Sequence, residues 1–231
     1  LSLHDALPIY IIQPPTPERV KYDIFDRVNR GGTPLNKQEM RNALYRGRCT
    51  RMLDKLCCSP EFLIATGRSI NKERMKDQYV VLRAMAFLML HRGEFKDIPA
   101  LQYRGDIDDF LARFMVYVND NAPEKLIVDY ENLFIRCMQI SYDLLGENGF
   151  RFSGNGIRRP INMPLFEALS YLFSFVPEKI DYTWASRLIL DIESVKEEFD
   201  DSRYFSGNID STTSVSFRFD RMDKIINRIQ L

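Results

Sequence analysis

Histidine and cysteine are scarce in this chain, and their scarcity excludes several classes of catalytic and metal site. The 231 residues include two histidines, His4 and His91, and four cysteines. Because His4 lies in a segment that we discount below, the chain cannot supply a Ser/His/Asp or Cys/His catalytic grouping. The cysteines fit no zinc-ligand spacing, so we expect reduced, mostly buried thiols in a cytosolic protein rather than disulfides. They are Cys49, Cys57, Cys58 and Cys137.

Net charge and long apolar runs are also missing. The 32 basic and 32 acidic residues cancel, so no overall field attracts nucleic acid or a membrane, and any such attraction is local. The longest apolar run, from Val80 to Leu90, is shorter than the roughly 18 residues that span a membrane, and it contains Arg83. This run predicts a core helix. We expect a cytoplasmic protein with no membrane partner and no signal peptide.

The first nine residues, LSLHDALPI, differ in style from everything that follows. They resemble the conceptual translation of a sequencing adaptor, and we expect them to be non-native, which removes His4 from any catalytic argument. On this interpretation the native sequence begins near Tyr10, in the middle of a protein. The alternative is an ordinary N-terminal strand.

The remaining pattern predicts a mostly α fold. Tyr10–Gln13 is a short β-type run. From Arg51 onward nearly every segment has helical periodicity, including one long helix over residues 71–93. We therefore expect residues 10–50 to be the C-terminal remnant of a mixed αβ domain whose partner strands lie upstream, and residues 51–231 to form a helical bundle domain.

Individual residues predict where helices begin and end. Asn36 and Glu39 form a capping-box pattern, so we interpret Glu39 as a cap rather than as a catalytic acid. We expect further N-caps at three polar residues and helix ends at three glycines. The N-caps are Asp106, Asn121 and Asn162, and the glycines are Gly31, Gly47 and Gly146.

Three other groups of charged residues favour a structural interpretation over a functional one. Asp108 and Asp109 follow the cap at Asp106 and begin an amphipathic helix, a spacing that does not show the converging oxygen ligands of a metal site. His91 ends an apolar helix, where a cation is favourable. The acidic residues of segment 191–201 predict a solvated helix face. We predict no metal site.

A basic segment with a pair of glycines carries the clearest chemical signal. From Arg19 to Arg51 the sequence has nine basic and three acidic residues, a local charge of +6 in a neutral chain. Gly31 and Gly32 permit positive φ and close approach of a ligand, and with the helix start at Asn36 they could cradle an anion. The alternative is a plain turn between two helices, with solvated arginines.

A second basic segment is the loop GFRFSGNGIRRP, residues 149–160. Arg151, Arg158 and Arg159 supply positive charge, and Phe150 and Phe152 supply rings on which bases can stack. This combination predicts a nucleic-acid contact. The alternative is a flexible, solvent-exposed loop.

The stretch IFDRVNRGGTPLNKQEMRNALYRG, residues 24–47, resembles the F-x-R-x-N-x-G-G-x-x-L-x-x-x-E-x-R-N signature of the GmrSD-type restriction endonuclease N-terminal domain family. The downstream helical segments are also similar to members of this family, so the resemblance covers about residues 10–231. The signature positions in register are Phe25, Arg27, Asn29, Gly31, Gly32, Leu35, Glu39, Arg41 and Asn42.

The resemblance implies a ParB/sulfiredoxin-like domain followed by helices, in nucleotide-dependent nucleases of bacterial defence that act on foreign or modified DNA. It also implies a nucleotide or phosphate site in which Arg41 pairs with Glu39 or reaches phosphate as a fork. The residues of that site are Arg27, Asn29, Gly31, Gly32, Arg41 and Asn42. The Asp-Gly-Gln-Gln-Arg motif of the family is absent from this sequence, and we expect it, with the catalytic residues, upstream of residue 10.

We therefore expect the C-terminal fragment of a nucleotide-dependent ParB-like nuclease or NTPase, inactive by itself, whose parent uses a nucleoside triphosphate with magnesium. The alternative is a non-catalytic helical module that binds DNA or a partner subunit, with any catalysis elsewhere. A third interpretation is that these arginines and glycines only stabilise the fold. The sequence leaves the choice among these three open.

Overall fold

The computed structural model describes Val20, Ile24, Arg27 and residues 34–153, 157–201 and 207–229. Within these ranges the chain is largely helical and has no β-strand, which confirms the predicted mostly α fold. The predicted strand at Tyr10–Gln13 lies outside the described residues. The helices in the continuous ranges are α1 Lys37–Leu44, α2 Arg48–Cys57, α3 Pro60–Ala65, α4 Lys76–His91, α5 Ile107–Asp120, α6 Glu124–Leu145, α7 Met163–Phe173, α8 Tyr182–Asp200 and α9 Thr212–Ile229.

Three of the predicted N-caps are confirmed. The Asn36 side chain accepts hydrogen bonds from the backbone of Gln38 and Glu39 at 2.8 and 2.9 Å, and the Glu39 carboxylate accepts the Asn36 backbone N–H at 2.6 Å. This is the complete capping box. Asp106 caps α5 and Asn162 caps α7 with one hydrogen bond each, which their side chains accept from the backbone N–H of Asp109 and Leu165.

Several other predicted helix boundaries are wrong. Asn121 does not begin α6; it is the residue that follows the last residue of α5. Helix α6 begins at Glu124, directly after Pro123. Proline is favourable at a helix start because it lacks the backbone N–H that would otherwise be unpaired there. Gly47 does not end α1, which stops at Leu44; it precedes α2 instead. The helix predicted over residues 71–93 begins later, at Lys76. Gly146 ends α6 with a positive φ of 60°, as predicted.

Helix α4 is the central helix of the core, as the apolar run predicted. Residues Val80 to Met89 are all buried, so the helix is covered on every side. It packs against α2 and α7, and α7 in turn packs against α9, while α3 packs against α6. Among the described residues, no helix is both long and apolar enough to cross a membrane.

One hydrophobic core contains residues from Tyr45 in the N-terminal part to Ile226 in α9. The predicted domain boundary at residue 50 falls inside α2, whose residues Cys49, Met52 and Leu53 all belong to this core. The assignment of residues 10–50 to a ParB-like remnant and of residues 51–231 to a bundle domain stays a prediction.

Arg83 is tolerated inside α4 because a buried ion cluster surrounds it. Its guanidinium donates to Glu167 of α7 and, at 2.7 Å, to Asp210 in the loop before α9. Arg218 of α9 donates to the other Glu167 oxygen at 3.2 Å. Burial opposes the charge of Arg83, but the two carboxylates outweigh burial and hold its pKa above the ordinary value. The cluster therefore ties α4, α7 and α9 together with matched charges.

All four cysteines are free, and three of them are buried, which confirms the expected mostly buried thiols. Burial raises the pKa of the Cys137 thiol to about 12. Only Cys58 is exposed.

Candidate functional site

The predicted phosphate site divides between described and undescribed residues. Asn29, Gly31 and Gly32 lie outside the described residues, so the glycine cradle stays a prediction. Arg27 is helical and exposed. Arg41 and Asn42 both lie on α1. Of these two residues, Arg41 lines a cavity and Asn42 does not.

The cavity beside Arg41 lies between the start of α1 and the turn that leads into α4. Its volume is about 520 Å³, which is within the range of small-molecule sites. We call it the Arg41 cleft. Its lining consists of Asn36, Lys37, Gln38, Arg41, Asn71, Glu73, Arg74, Lys76 and Tyr79, four basic residues against one acidic residue.

Arg41 is fully buried, yet its guanidinium is incompletely paired. Its Nε donates to Gln38 at 3.0 Å and its Nη1 to Asp108 at 2.8 Å, and the guanidinium carbon lies 5.3 Å from the Tyr79 ring centre. Among the described residues, Nη2 has no hydrogen-bond partner. The predicted pairing of Arg41 with Glu39 is wrong, because Glu39 is held by Arg74. A buried donor without a partner costs about 1–3 kcal/mol, and more when it is charged.

Arg74 reaches the cleft through an unusual backbone. Arg74 and Met75 have positive φ values of 56° and 58°, a left-handed conformation that costs a non-glycine residue roughly 1–2 kcal/mol. This conformation turns the Arg74 guanidinium back over the start of α1, where it donates to Glu39 at 2.9 Å and to the Pro34 carbonyl at 2.7 Å. Nothing in the sequence ERM signals this turn.

The helix start itself is not an anion site. The capping box already occupies the backbone N–H groups of Asn36, Gln38 and Glu39. The prediction that the α1 start would help to cradle an anion is therefore wrong, since those donors are taken. The positive charge of the cleft comes from side chains instead.

Charge compensation around the cleft is partial. Lys37 and Arg41 both pair with the single carboxylate of Asp108, and Lys76 has no ion-pair partner among the described residues. Burial would raise the pKa of Asp108, but hydrogen bonds from Lys37 and Arg41 outweigh burial and hold it below its ordinary value. The hydrogen bond to Asp108 raises the pKa of Lys37. The cleft thus keeps an excess of positive charge.

Asn42 lies behind the cleft rather than in its lining. Its side-chain oxygen accepts a hydrogen bond from Gln38 at 2.8 Å, and its amide donates to Gln78 of α4. Gln78 in turn donates to Asp54 of α2 at 2.7 Å. Asn42 therefore joins α1 to α4 and α2, and the predicted direct contact with phosphate finds no support in its position.

The three arginines predicted to contact nucleic acid lie around a second cavity, which we call the Arg151 cleft. Its volume is about 720 Å³. Arg151 is buried, whereas Arg158 and Arg159 are half-exposed and pair with Glu147 at 2.6 Å and with Asp200. The charged residues of its lining are Glu147, Arg151, Arg158, Arg159, Glu193 and Lys196.

The aromatic residues of this loop do not form a stacking surface. Phe150 is completely buried in the core, and Phe152 is 6% exposed, with Arg159 stacked 5.3 Å from its ring centre. Both rings are buried by packing, so the predicted combination of positive charge with exposed rings is wrong. The buried Arg151 also contradicts the alternative of a purely solvated loop.

Two further sequence interpretations need correction. His91 is not a cation at the end of α4: its ring stacks on Phe219 at 3.5 Å, and burial, with the nearby charge of Arg218, lowers its pKa to about 3. Its Nε2 has no partner among the described residues. The acidic face of α8 is exposed as predicted, but part of it is paired across helices, as in Asp191 with Arg228 and Glu198 with Arg221.

The described residues contain no group of three or more histidine, cysteine or acidic side chains placed to hold a metal ion. Asp106 is a cap, Asp108 pairs with two cations, and Asp109 pairs with Arg113 at 2.7 Å. Each of these three carboxylates therefore has a structural partner.

No protein-family model, curated protein or solved structure matches this chain. The resemblance carried by residues 24–47 therefore stays a hypothesis. Sequence reasoning found Arg41 through that resemblance but missed Arg74, Lys76 and Tyr79. The only feature of the sequence that could have pointed to these three residues is their position near a helix start, and many residues share that position.

Proposed function

We propose that the Arg41 cleft binds the phosphate groups of a nucleotide, and that this chain is the helical part of a nucleotide-dependent ParB-like nuclease or NTPase of bacterial defence, acting on foreign or modified DNA. The observation that carries the proposal is the buried Arg41 guanidinium with one nitrogen unpaired. A phosphate oxygen is the acceptor that such a group binds most strongly.

The surroundings of Arg41 support a phosphate ligand over a neutral one. Lys37, Arg74 and Lys76 add three further cations to the same lining, against Glu73 in the lining and Asp108 and Glu39 beside it, so four cations face three carboxylates and one positive charge is in excess. Tyr79 supplies an aromatic face under Arg41. The cleft volume of about 520 Å³ suits one small ligand. The resemblance independently assigns a phosphate role to Arg41.

Magnesium does not fit the described residues equally well. The lining has one carboxylate, Glu73, which accepts a hydrogen bond from Asn71 at 2.9 Å. Glu39 and Asp108, beside the cleft, already accept hydrogen bonds from Arg74, Lys37 and Arg41. A magnesium ion needs several free oxygen ligands in octahedral geometry. The proposal therefore assigns binding to this chain, and it assigns neither a metal site nor a catalytic step to these residues.

The test is titration of the full chain with a fluorescent ATP or GTP analogue, with and without magnesium. Arg74→Ala and Lys76→Ala are surface changes, and we expect each to weaken binding about tenfold because one charge-assisted contact is lost. Arg41→Lys retains the charge beside Asp108 but removes the guanidinium fork, and it should weaken binding at least as much. Arg113→Ala, an arginine paired with Asp109 outside the lining, is the matched control.

The alternative function is a non-catalytic module that binds DNA or a partner subunit. The exposure of Lys37 and Arg74, 66% and 52% of their side chains, would allow a larger polyanion to reach them. Duplex DNA binding that falls with Lys37→Glu and Arg74→Ala, in the absence of any nucleotide binding, would favour this alternative. Binding of neither ligand, or nucleotide binding that is insensitive to all three cleft variants, would refute the proposal.

A further inference from the structure

We propose that the Arg151 cleft is a second, separate binding site, for a small phosphorylated molecule. The cleft lies between helix α8 and the described residues 147–153 and 157–159, and its volume is about 720 Å³. Its lining has four basic residues against two acidic ones, Glu147 and Glu193; the basic residues are Arg151, Arg158, Arg159 and Lys196. The inference does not depend on the function of the Arg41 cleft.

Arg151 is a buried cation without a carboxylate partner. Its acceptors are the backbone carbonyls of Glu147 and Thr66, both at 3.1 Å, together with the Arg159 carbonyl and the Ser69 hydroxyl. These acceptors are neutral, and the carboxylate of Glu147, which acts on Arg151, is already paired with Arg158, so the charge of Arg151 is only partly compensated. A buried charge is tolerated only when it is matched, so this position favours an anion in the adjacent cavity.

Lys196 adds a second buried charge from the opposite wall. Its side chain is only 4% exposed, and its ammonium donates to the Asn148 carbonyl at 3.2 Å and to Glu193 at 2.9 Å. An ammonium group has three hydrogens, so one remains for a ligand. Burial of two cations at one cavity is the feature that distinguishes this cleft from an ordinary basic surface.

Arg158 and Arg159 lie at the edge of the Arg151 cleft, in ion pairs that are partly exposed. Arg158 pairs with Glu147 at 2.6 Å, and Arg159 pairs with Asp200; both guanidinium groups are about two-fifths exposed. Ion pairs of this exposure contribute little and exchange readily with another anion. Gly67 lies directly under the Arg158–Glu147 pair, because a Cβ added there would collide with both side chains.

The chemistry of the cleft selects a small molecule over a nucleic acid. Phe150 and Phe152 are buried, so no ring is available on which a base could stack. The two innermost cations can be reached only by a ligand that enters the cavity. A compact phosphate ester or diphosphate satisfies both conditions, whereas a polymer backbone would contact only the rim.

The test is calorimetric titration of the full chain with inorganic pyrophosphate, with citrate as a carboxylate comparison and a single-stranded oligonucleotide as a polymer comparison. We expect pyrophosphate to bind with a Kd of about 1 mM or tighter. Arg158→Ala should weaken that binding about tenfold. Arg221→Ala removes an ion pair from α9 to Glu198 of α8, the helix that lines the cleft, and should leave binding unchanged.

Variants of the two clefts separate this proposal from the previous one. Arg74→Ala should not affect binding at the Arg151 cleft, and Arg158→Ala should not affect nucleotide binding at the Arg41 cleft. Gly67→Ala also displaces Arg158, but its φ of 59° strains any residue other than glycine, so urea unfolding of this variant must first show that it is folded; it should then reproduce the loss. The proposal is overturned if pyrophosphate does not bind, if binding survives both Arg158→Ala and Gly67→Ala, or if citrate or the oligonucleotide binds more tightly at the same site.

Discussion

The buried His91 makes a sharp prediction about stability and pH. In the folded chain its ring stacks on Phe219, near Tyr171 and the charge of Arg218, and its pKa is lowered from 6.5 to about 3. In the unfolded chain the same ring titrates near 6.5. Between these two pKa values the unfolded state binds a proton on His91 and the folded state does not. The free energy of unfolding must therefore decrease as the pH falls below about 6.5.

The magnitude follows from the two pKa values. The contribution of His91 is fully present above pH 6.5 and is lost progressively as the pH falls toward the folded pKa of about 3. At about pH 5 the loss from this one group is about 2 kcal/mol relative to about pH 8. This is a large part of the stability of an ordinary domain, which is about 5–15 kcal/mol.

The perturbation is His91→Phe, which retains a flat ring on Phe219 and removes the titrating group. The measurement is urea unfolding at about pH 8 and about pH 5, and the quantity of interest is the change between the two conditions. A His4→Gln background leaves His91 as the only histidine of the chain. Carboxylates such as Asp108 and Glu39, whose pKa values are lowered, also cost stability in acid, but they do so in both proteins and cancel in the comparison.

We expect the histidine protein to lose about 2 kcal/mol more than the phenylalanine variant between the two conditions. His91→Leu should show the same reduced pH dependence, which separates titration from any overpacking by phenylalanine. Equal losses in all three proteins would refute the reasoning, because they would mean that the folded state accepts a proton on His91.

Three further changes test the fold and the cleft wall. Met75→Gly should stabilise the chain by about 1 kcal/mol in urea unfolding, because glycine removes the left-handed penalty; a loss of stability would contradict the backbone geometry. Glu167→Gln should destabilise it by about 3–5 kcal/mol, because it leaves Arg83 and Arg218 with one carboxylate between them, and a change below about 1 kcal/mol would contradict the cluster. Asn36→Ala should cost about 1 kcal/mol by removing the α1 cap; an unchanged unfolding midpoint would argue against the capping box.

The features that sequence predicted correctly are local ones. The capping box joins Asn36 to Glu39, three residues away, and Asp106 and Asn162 cap within the same distance. Such interactions depend on one turn of backbone, so the residue types suffice to identify them. The wrong prediction at Asn121 also concerns a local signal, because the helix begins after Pro123, two residues later, and not after Asn121.

The features that sequence missed depend on distant partners. Arg41 meets Asp108 from 67 positions away, Arg83 meets Glu167 from 84, and Arg151 meets the Thr66 carbonyl from 85. A single sequence contains no signal for such pairings. The left-handed Arg74 and Met75 were missed for another reason, because neither residue type favours that conformation and tertiary contacts impose it.

The buried arginines of this chain differ in whether carboxylates balance their charge, and this difference distinguishes structural arginines from candidate ligand-binding ones. The chain has no net charge, so composition alone indicates no binding surface. Arg83 pairs with Glu167 and Asp210, and Arg218 pairs with Glu167, so two buried cations meet two carboxylates in the core. Arg41 shares one carboxylate with Lys37, and Arg151 is held by neutral acceptors. Both of these incompletely matched arginines line open clefts, and the core provides no reason to leave them so. Burying a guanidinium without its counter-charge is unfavourable unless an anion completes the site. The two clefts are therefore where a ligand would complete the charge balance that the fold leaves open.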